Sequence, residues 1–145
     1  MCYKEGTCEL KLTRSPKGSL ESDKRRILYL EDHDDSRTFT TFLLKGAGYQ
    51  VTSIASMAEA QPLLDQPAGS SSFDCYILDF LLKDGAGTTL CQQIRALDAA
   101  VPIVFVSGAV REQDKQRAKD AGATHFFEKP LEHSHFLETL ARLSR

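Results

Sequence analysis

No stretch of this chain is long and apolar enough to cross a bilayer. The longest apolar runs, "VPIVFV" (101–106) and "CYIL" (75–78), fall far short of the roughly 20 residues a spanning helix needs. The N-terminus lacks an apolar h-region, so no secretory signal is expected. Neither sign of charge prevails: Lys plus Arg number 18 and Asp plus Glu 20, a formal net charge of −2. The total therefore carries no footprint for nucleic acid or a membrane surface. Paired cysteines are also missing. Cys2, Cys8, Cys75 and Cys91 form no CxxC, and Cys2 with Cys8 would leave a zinc ion two ligands short. Cys75 and Cys91 sit in apolar surroundings and read as small buried hydrophobes. Free thiols in a reducing, cytoplasmic setting are expected. Internal repeats and low-complexity segments are absent as well.

What the chain does have suits one globular domain. Its 145 residues are 41% hydrophobic and 26% charged, enough to bury a real core. Residues 1–25 form a polar extension with Pro, Gly and Ser and no sustained apolar period, except that "CELKLT" (8–13) alternates like a short strand. From Arg26 onward apolar runs alternate with helical patterns. Strands are expected at "RILYL", "YQVTSI", "FDCYIL", "VPIVFVS" and "THFFE". Between and after them lie five helical segments. "DDSRTFTTFLLKGAGY" places Phe39, Phe42 and Leu43 at helical spacing, with Asp34 or Asp35 to cap its start and Gly46 or Gly48 its end. "SMAEAQPLLDQ" opens with the Ser56/Glu59 capping-box spacing, and Pro62 should kink or shorten it. "GTTLCQQIRAL" puts Leu90, Ile94 and Leu97 on one face, "REQDKQRAKDAG" ends at Gly122, and "LEHSHFLETLARL" closes the chain. The strands are continuously apolar, as parallel strands covered on both faces are. The class is α/β, an open doubly wound parallel sheet with helices on both faces, whose functional crevice lies beyond the C-terminal strand ends.

Those ends carry the chemistry. Asp79 stands in the middle of the most apolar segment, "CYILDFLLKDGAG", and a buried charge is costly unless it is paired or metal-bound. The first strand ends in Glu31 and Asp32, the fourth in Ser107, and the fifth in Glu128 and Lys129 before Pro130. If these strands lie side by side, Glu31, Asp32 and Asp79 converge with one hydroxyl and one ammonium. Clustered carboxylates repel one another unless a cation joins them. An all-oxygen set favours a hard ion such as Mg²⁺. Lys129 and Ser107 can then hold phosphoryl oxygens, leaving Asp79 as an in-line nucleophile that forms an acyl phosphate.

In "YLEDHDDSR", "CYILDFLLKDGAG", "VPIVFVSGA", "DAGATHFFEKP" and the closing amphipathic helix, residues 26–145 resemble the receiver domain of two-component response regulators. The resemblance implies a flavodoxin-like five-stranded sheet of order 2-1-3-4-5. It implies Asp79 as phosphoacceptor, Mg²⁺ held by Asp32, by Glu31 largely through water and by the Leu81 backbone carbonyl, and phosphoryl contacts from Ser107 and Lys129. Phe126 takes the place of the aromatic switch residue, beside Ser107 as switch hydroxyl, and the bond before Pro130 is usually cis. The implied partners are a histidine kinase or histidine phosphotransfer protein, a downstream protein, and a second copy through the fourth helix, fifth strand and last helix. The chain departs from the family pattern at Lys83 (usually proline), Gly108 (usually alanine) and Pro62, and no departure removes a reactive group.

Other residues read more plainly. His33 faces solvent, His125 is a surface histidine, and His133 and His135, two apart on a helix, face opposite sides. The mixed charges of "REQDKQRAKDAG" suit a solvated face rather than nucleic acid. The expected role is a phosphoacceptor in a phosphorelay, not a turnover enzyme. The chain is expected to be a single-domain regulator or the receiver piece of a longer protein; with no output domain in this sequence, output is expected through protein contact or onward phosphoryl transfer. The alternative is a pseudo-receiver, an interaction module that is never phosphorylated. A dehalogenase-type hydrolase would need a second aspartate where Leu81 stands.

Overall fold

A computed structural model of the chain describes residues 24–65, 73–82, 85–108 and 111–143. The expected strand at 8–13, Cys2, Cys8, Lys83 and Ala109 lie outside these residues. The elements are β1 (Arg26–Leu30), α1 (Asp34–Gly46), β2 (Gln50–Ile54), α2 (Met57–Leu64), β3 (Cys75–Asp79), β4 (Leu81–Leu82), β5 (Gly85–Ala86), α3 (Gly87–Leu97), β6 (Ile103–Ser107), α4 (Glu112–Ala121), β7 (His125–Glu128) and α5 (His133–Leu143). The five long strands form one parallel sheet of order β2-β1-β3-β6-β7, which is the expected 2-1-3-4-5. β4 and β5 make a two-residue antiparallel hairpin that the sequence did not announce.

Alternate strand residues feed two apolar layers. Leu28, Leu30, Leu78 and Phe105 pack with Leu90 and Ile94 of α3 and Ala118 of α4. Ile27, Tyr29, Ile77 and Val104 pack with Leu44 of α1 and Phe136 and Leu140 of α5. β3 and β6 are buried along their whole length, which is why they lack the alternation of a half-exposed strand. Each fully buried Leu, Ile or Phe stabilises the fold by about 1.5–3 kcal/mol. Arg95 staples this packing at the start of β6: its guanidinium donates to the carbonyls of Asp98, Val101 and Gly122 and to the Thr124 hydroxyl.

Several local expectations need correction. α1 is capped by His33, whose Nδ1 accepts from Ser36 N at 3.3 Å. Asp34 and Asp35 instead fill the first turn, where carboxylates favour the positive end of the helix dipole. α1 buries Thr40 and Leu44, while Phe39 and Phe42 are 51% and 76% exposed, because the helix turns its 40/44 stripe toward the sheet. Leu97 at the end of α3 is likewise exposed. α2 begins as expected, with Ser56 Oγ accepting from Glu59 N at 3.2 Å, while the Glu59 carboxylate accepts from Ala55 N at 3.2 Å and from Ser56 Oγ at 3.4 Å. Pro62 stands inside an eight-residue helix. α4 ends at Gly122 with a φ of 109°, a left-handed cap open to glycine.

Candidate functional site

The parallel register sets Leu30 beside Leu78, Asp79 beside Val106, and Ser107 beside Glu128. The chain therefore leaves β1, β3, β6 and β7 in adjacent columns at one end of the sheet. Glu31, Asp32 and Asp79 meet there, each offering an oxygen within 4.8 Å of the others. Glu31 is 1% exposed and Asp79 8%. Lys129 Nζ donates to Glu31 Oε1 at 2.8 Å and lies 3.9 Å from Asp79 Oδ2. The same Lys129 is tied through its backbone N–H to the Ser107 carbonyl at 2.9 Å, and the Lys129–Pro130 bond is cis. Ser107 itself is buried.

The loop after β1 is fixed around this cluster. His33 N donates to Glu31 Oε2 at 3.2 Å, and Arg37 Nη1 to the Glu31 carbonyl at 2.9 Å. After β3, Leu81 N approaches Asp79 Oδ1 at 3.4 Å. The β4–β5 hairpin then returns the chain so that Gly87 N bonds the Phe80 carbonyl at 3.0 Å. A side chain at Gly87 would collide with the Asp79 carbonyl and the Phe105 ring, so this turn admits glycine alone. At Gly108 a Cβ would meet only the Lys129 stem at 4.0 Å, so the alanine that stands there in similar chains would fit.

Among the described residues, Glu31 and Asp79 share the single ammonium of Lys129. Burial, reinforced by the hydrogen bond and negative charge of Glu31, pushes the Asp79 carboxyl up to about 7. Lys129 and the Leu81 N–H oppose the rise. An oxygen-only set of three clustered carboxylates suits a hard divalent cation. Glu128, at the end of β7, is not part of the group; it is exposed and pairs with Lys115 at 3.5 Å.

Phe126 is half-buried, its ring 5.7 Å from Phe80 and 6.3 Å from Phe105, with Phe80 and Phe105 edge-on at 5.6 Å. Phe80 was not singled out in the sequence. It directly follows Asp79 and carries the Arg117 guanidinium over its ring at 5.8 Å, so it joins the reactive carboxylate to both Phe126 and α4. Its place one residue after a buried aspartate was the available signal. His133 and His135 do face apart, one against Phe39 and the other against Phe127. His125 is only half-exposed and packs on Phe127 at 4.5 Å. Its burial, with His135 and Arg142 nearby, lowers its pKa. Burial pushes the Cys75 and Cys91 thiols up to about 12 and about 11, as inert buried hydrophobes. Among the described residues no helix is long and apolar enough to cross a membrane.

Comparison with known proteins gives one family. Residues 27–141 match the response regulator receiver domain model. The chain is 34% identical over 105 residues to the KDP operon transcriptional regulatory protein KdpE of Escherichia coli, covering 72% of this chain and 44% of KdpE. A receiver domain protein of Methanospirillum hungatei, described as CheY-like, superposes with a TM-score of 0.76 at 23% identity, over 83% of this chain and 93% of its own. The receiver domain of the sensor histidine kinase PA1611 of Pseudomonas aeruginosa superposes with a TM-score of 0.72 at 24% identity, over 83% and 97%; its structure holds a magnesium ion in the active-site cleft. The chain spans about half the length of the curated relatives it matches, 44% to 51% for the first three.

Proposed function

The chain belongs to the response regulator receiver family, and from that premise we propose that Asp79 accepts a phosphoryl group from a phosphohistidine on a sensor kinase or phosphotransfer protein. Residues 26–145 form the receiver unit and residues 1–25 a polar extension. The observation that carries this reading is the convergence of Asp79, Glu31, Asp32 and Lys129 at the strand ends, with Asp79 held part-way to neutral.

The donor set fits Mg²⁺: three carboxylates, each offering an oxygen within 4.8 Å of the others. Glu31, Asp32, Asp79 and the Leu81 backbone carbonyl would hold the ion. When bound, it supplies positive charge against the transferring phosphoryl oxygens. An Asp79 carboxylate oxygen attacks phosphorus in line, the P–N bond to the donor imidazole breaks, and the imidazole leaves with a proton. Lys129, 3.9 Å from Asp79 in the resting arrangement, turns from Glu31 toward a phosphoryl oxygen, and the Ser107 hydroxyl takes another. The backbone tie between Lys129 N and the Ser107 carbonyl keeps the two groups in step. Movement of Ser107 frees space for Phe126, which has no hydroxyl to anchor it. The changed surface of α4, β7 and α5 then meets a downstream protein or a second copy. The protein is a phosphoacceptor rather than a turnover enzyme.

Incubation with acetyl phosphate or phosphoramidate and Mg²⁺, followed by intact mass, tests the reading. The wild type is expected to gain one phosphoryl group and Asp79→Asn none. An adduct retained in the mutant places the acceptor elsewhere. A wild type that stays unmodified by these donors and by phosphorylated kinases is an interaction module of the pseudo-receiver kind.

A further inference from the structure

The β4–β5 hairpin carries Leu81, whose backbone carbonyl is among the groups that would hold the cation. The hairpin is small. Two residue pairs make it, Leu81 with Ala86 and Leu82 with Gly85, and so short a ribbon is marginal by itself. Its base is fixed beside Asp79: Gly87 N bonds the Phe80 carbonyl at 3.0 Å, and Leu81 N lies 3.4 Å from Asp79 Oδ1. Its outer end is met from another element. Met57, the first residue of α2, lays its thioether against Gly85. A Cβ at Gly85 would stand 2.6 Å from Met57 Sδ and 3.6 Å from its Cε. Beyond the chain neighbours of Gly85, no other described atom comes within 4 Å of that position. Gly85 has a φ of 154°, a setting open to glycine and rare for other residues. The missing side chain leaves a gap, and a methionine is flexible enough to fill it. Met57 and Leu82 both pack against the apolar layer that holds Ala60, Leu78 and Phe80. The sulfur therefore joins the hairpin to the core from the side of α2, whose start is fixed by the Ser56 cap.

We propose that Met57 is a positioning residue for the metal site: by seating the β4–β5 hairpin it holds the Leu81 carbonyl ready for the cation, and so raises the affinity for Mg²⁺ without touching the ion. Glu31 and Asp79 are buried at the ends of their strands, so the main sheet places them. Leu81 belongs to the hairpin, and its placement depends on what holds the hairpin. A ligand group already in position spares the ordering that binding would otherwise require. The inference rests on the Mg²⁺ reading of the site given above.

An Mg²⁺ titration of the full-length chain, followed by amide NMR shifts, tests it on wild type, Met57→Ala and Met57→Leu. Met57→Ala opens the gap at Gly85 and is expected to weaken Mg²⁺ binding by about threefold to tenfold. Met57→Leu refills it with a side chain of similar volume and should bind within about twofold of wild type. The readout is the affinity of the folded chain, so a mere loss of stability would leave it unchanged. Equal affinity in wild type and Met57→Ala overturns the proposal while the metal site stands. Met57→Leu as weak as Met57→Ala also overturns it, since filling the gap would then not be the cause. A wild type that binds no Mg²⁺ overturns the metal reading of the site and this inference with it.

Discussion

Among the described residues two aspartates are hidden from solvent, and they behave in opposite ways. Asp79 is 8% exposed and Asp114 3%. The carboxyl of Asp79 is pushed up to about 7, because it lies on the apolar bodies of β3 and β6 and faces a second carboxylate. The carboxyl of Asp114 is held below its ordinary range by hydrogen bonds from Arg111 and Arg117, at 3.2 Å and 2.8 Å. Its cover is thin: it lies under those two arginine side chains, themselves largely exposed, rather than deep in the core. It also closes the start of α4, accepting from the Arg111 backbone N–H. Concealment alone therefore does not mark a reactive carboxylate. What separates the two is the balance of partners: Asp114 has two guanidinium groups to itself, while Asp79 shares one ammonium with Glu31.

Neutralising each aspartate breaks the comparison in opposite directions. The largest effect is expected from Asp79→Asn in the absence of divalent metal. A carboxyl whose folded pKa is about 7, against an ordinary value near 3.9, binds its proton more tightly in the folded state. Stability is thus lost as pH rises from about 4 to 7 and does not return above that window. The amide removes this loss. The variant should be more stable than wild type by about 2 kcal/mol at pH 8, with the gap closing toward pH 4. Urea unfolding at the two pH values in chelator measures it, and a destabilised variant at pH 8 would refute the raised pKa of Asp79. Asp114→Asn should act the other way and less strongly. It should lower the melting temperature by several degrees, while phosphoryl uptake at Asp79 is unchanged. Equal uptake with no loss of stability would show that the arginine cover contributes nothing.

The smallest expected effect concerns the cover of Asp79 itself. Where Asp114 is covered by arginines, Asp79 has beside it Leu81, whose backbone N–H lies 3.4 Å from Asp79 Oδ1 and whose 57% exposed side chain cannot bind a water. Leu81→Asn should speed acyl phosphate hydrolysis by roughly threefold to tenfold, or about 0.7–1.4 kcal/mol of barrier. Decay is followed by mass spectrometry. A variant no faster than wild type would mean that water access past this residue does not limit the lifetime.

The sheet was legible in the sequence because its strands are continuous apolar runs ending in polar residues, and the receiver resemblance implied the order that sets those ends side by side. Glu31, Asp32, Asp79 and Lys129, which meet in the structure, stand at such strand ends. Helix orientation was less legible: Phe39, Phe42 and Leu97 are apolar and helically spaced, yet the stripe that faces the sheet is set by packing that sequence spacing cannot see. The His33 cap escaped notice because aspartates stand beside it, and both residue types satisfy the first helical amides. The β4–β5 hairpin is held by two residue pairs and the Gly87 approach, too short to leave a periodic signal. The contact of Phe80 with α4 is a tertiary fact, since Arg117 reaches a ring 37 positions earlier in the chain, whereas the arginine clasp on Asp114 joins residues three apart and was there to be read from spacing.

The account turns on Asp79 lying buried against a second carboxylate, in a cluster that a divalent cation completes. The direct measurement is a pH titration of the Asp79 side-chain carboxyl by carbon NMR, in chelator and in excess Mg²⁺. In chelator the resonance should titrate near 7, well above an ordinary aspartate. With Mg²⁺ the midpoint should fall below about 5, because the nearby cation favours the ionised form. A midpoint near 4 in chelator, or one that Mg²⁺ leaves in place, would contradict the account.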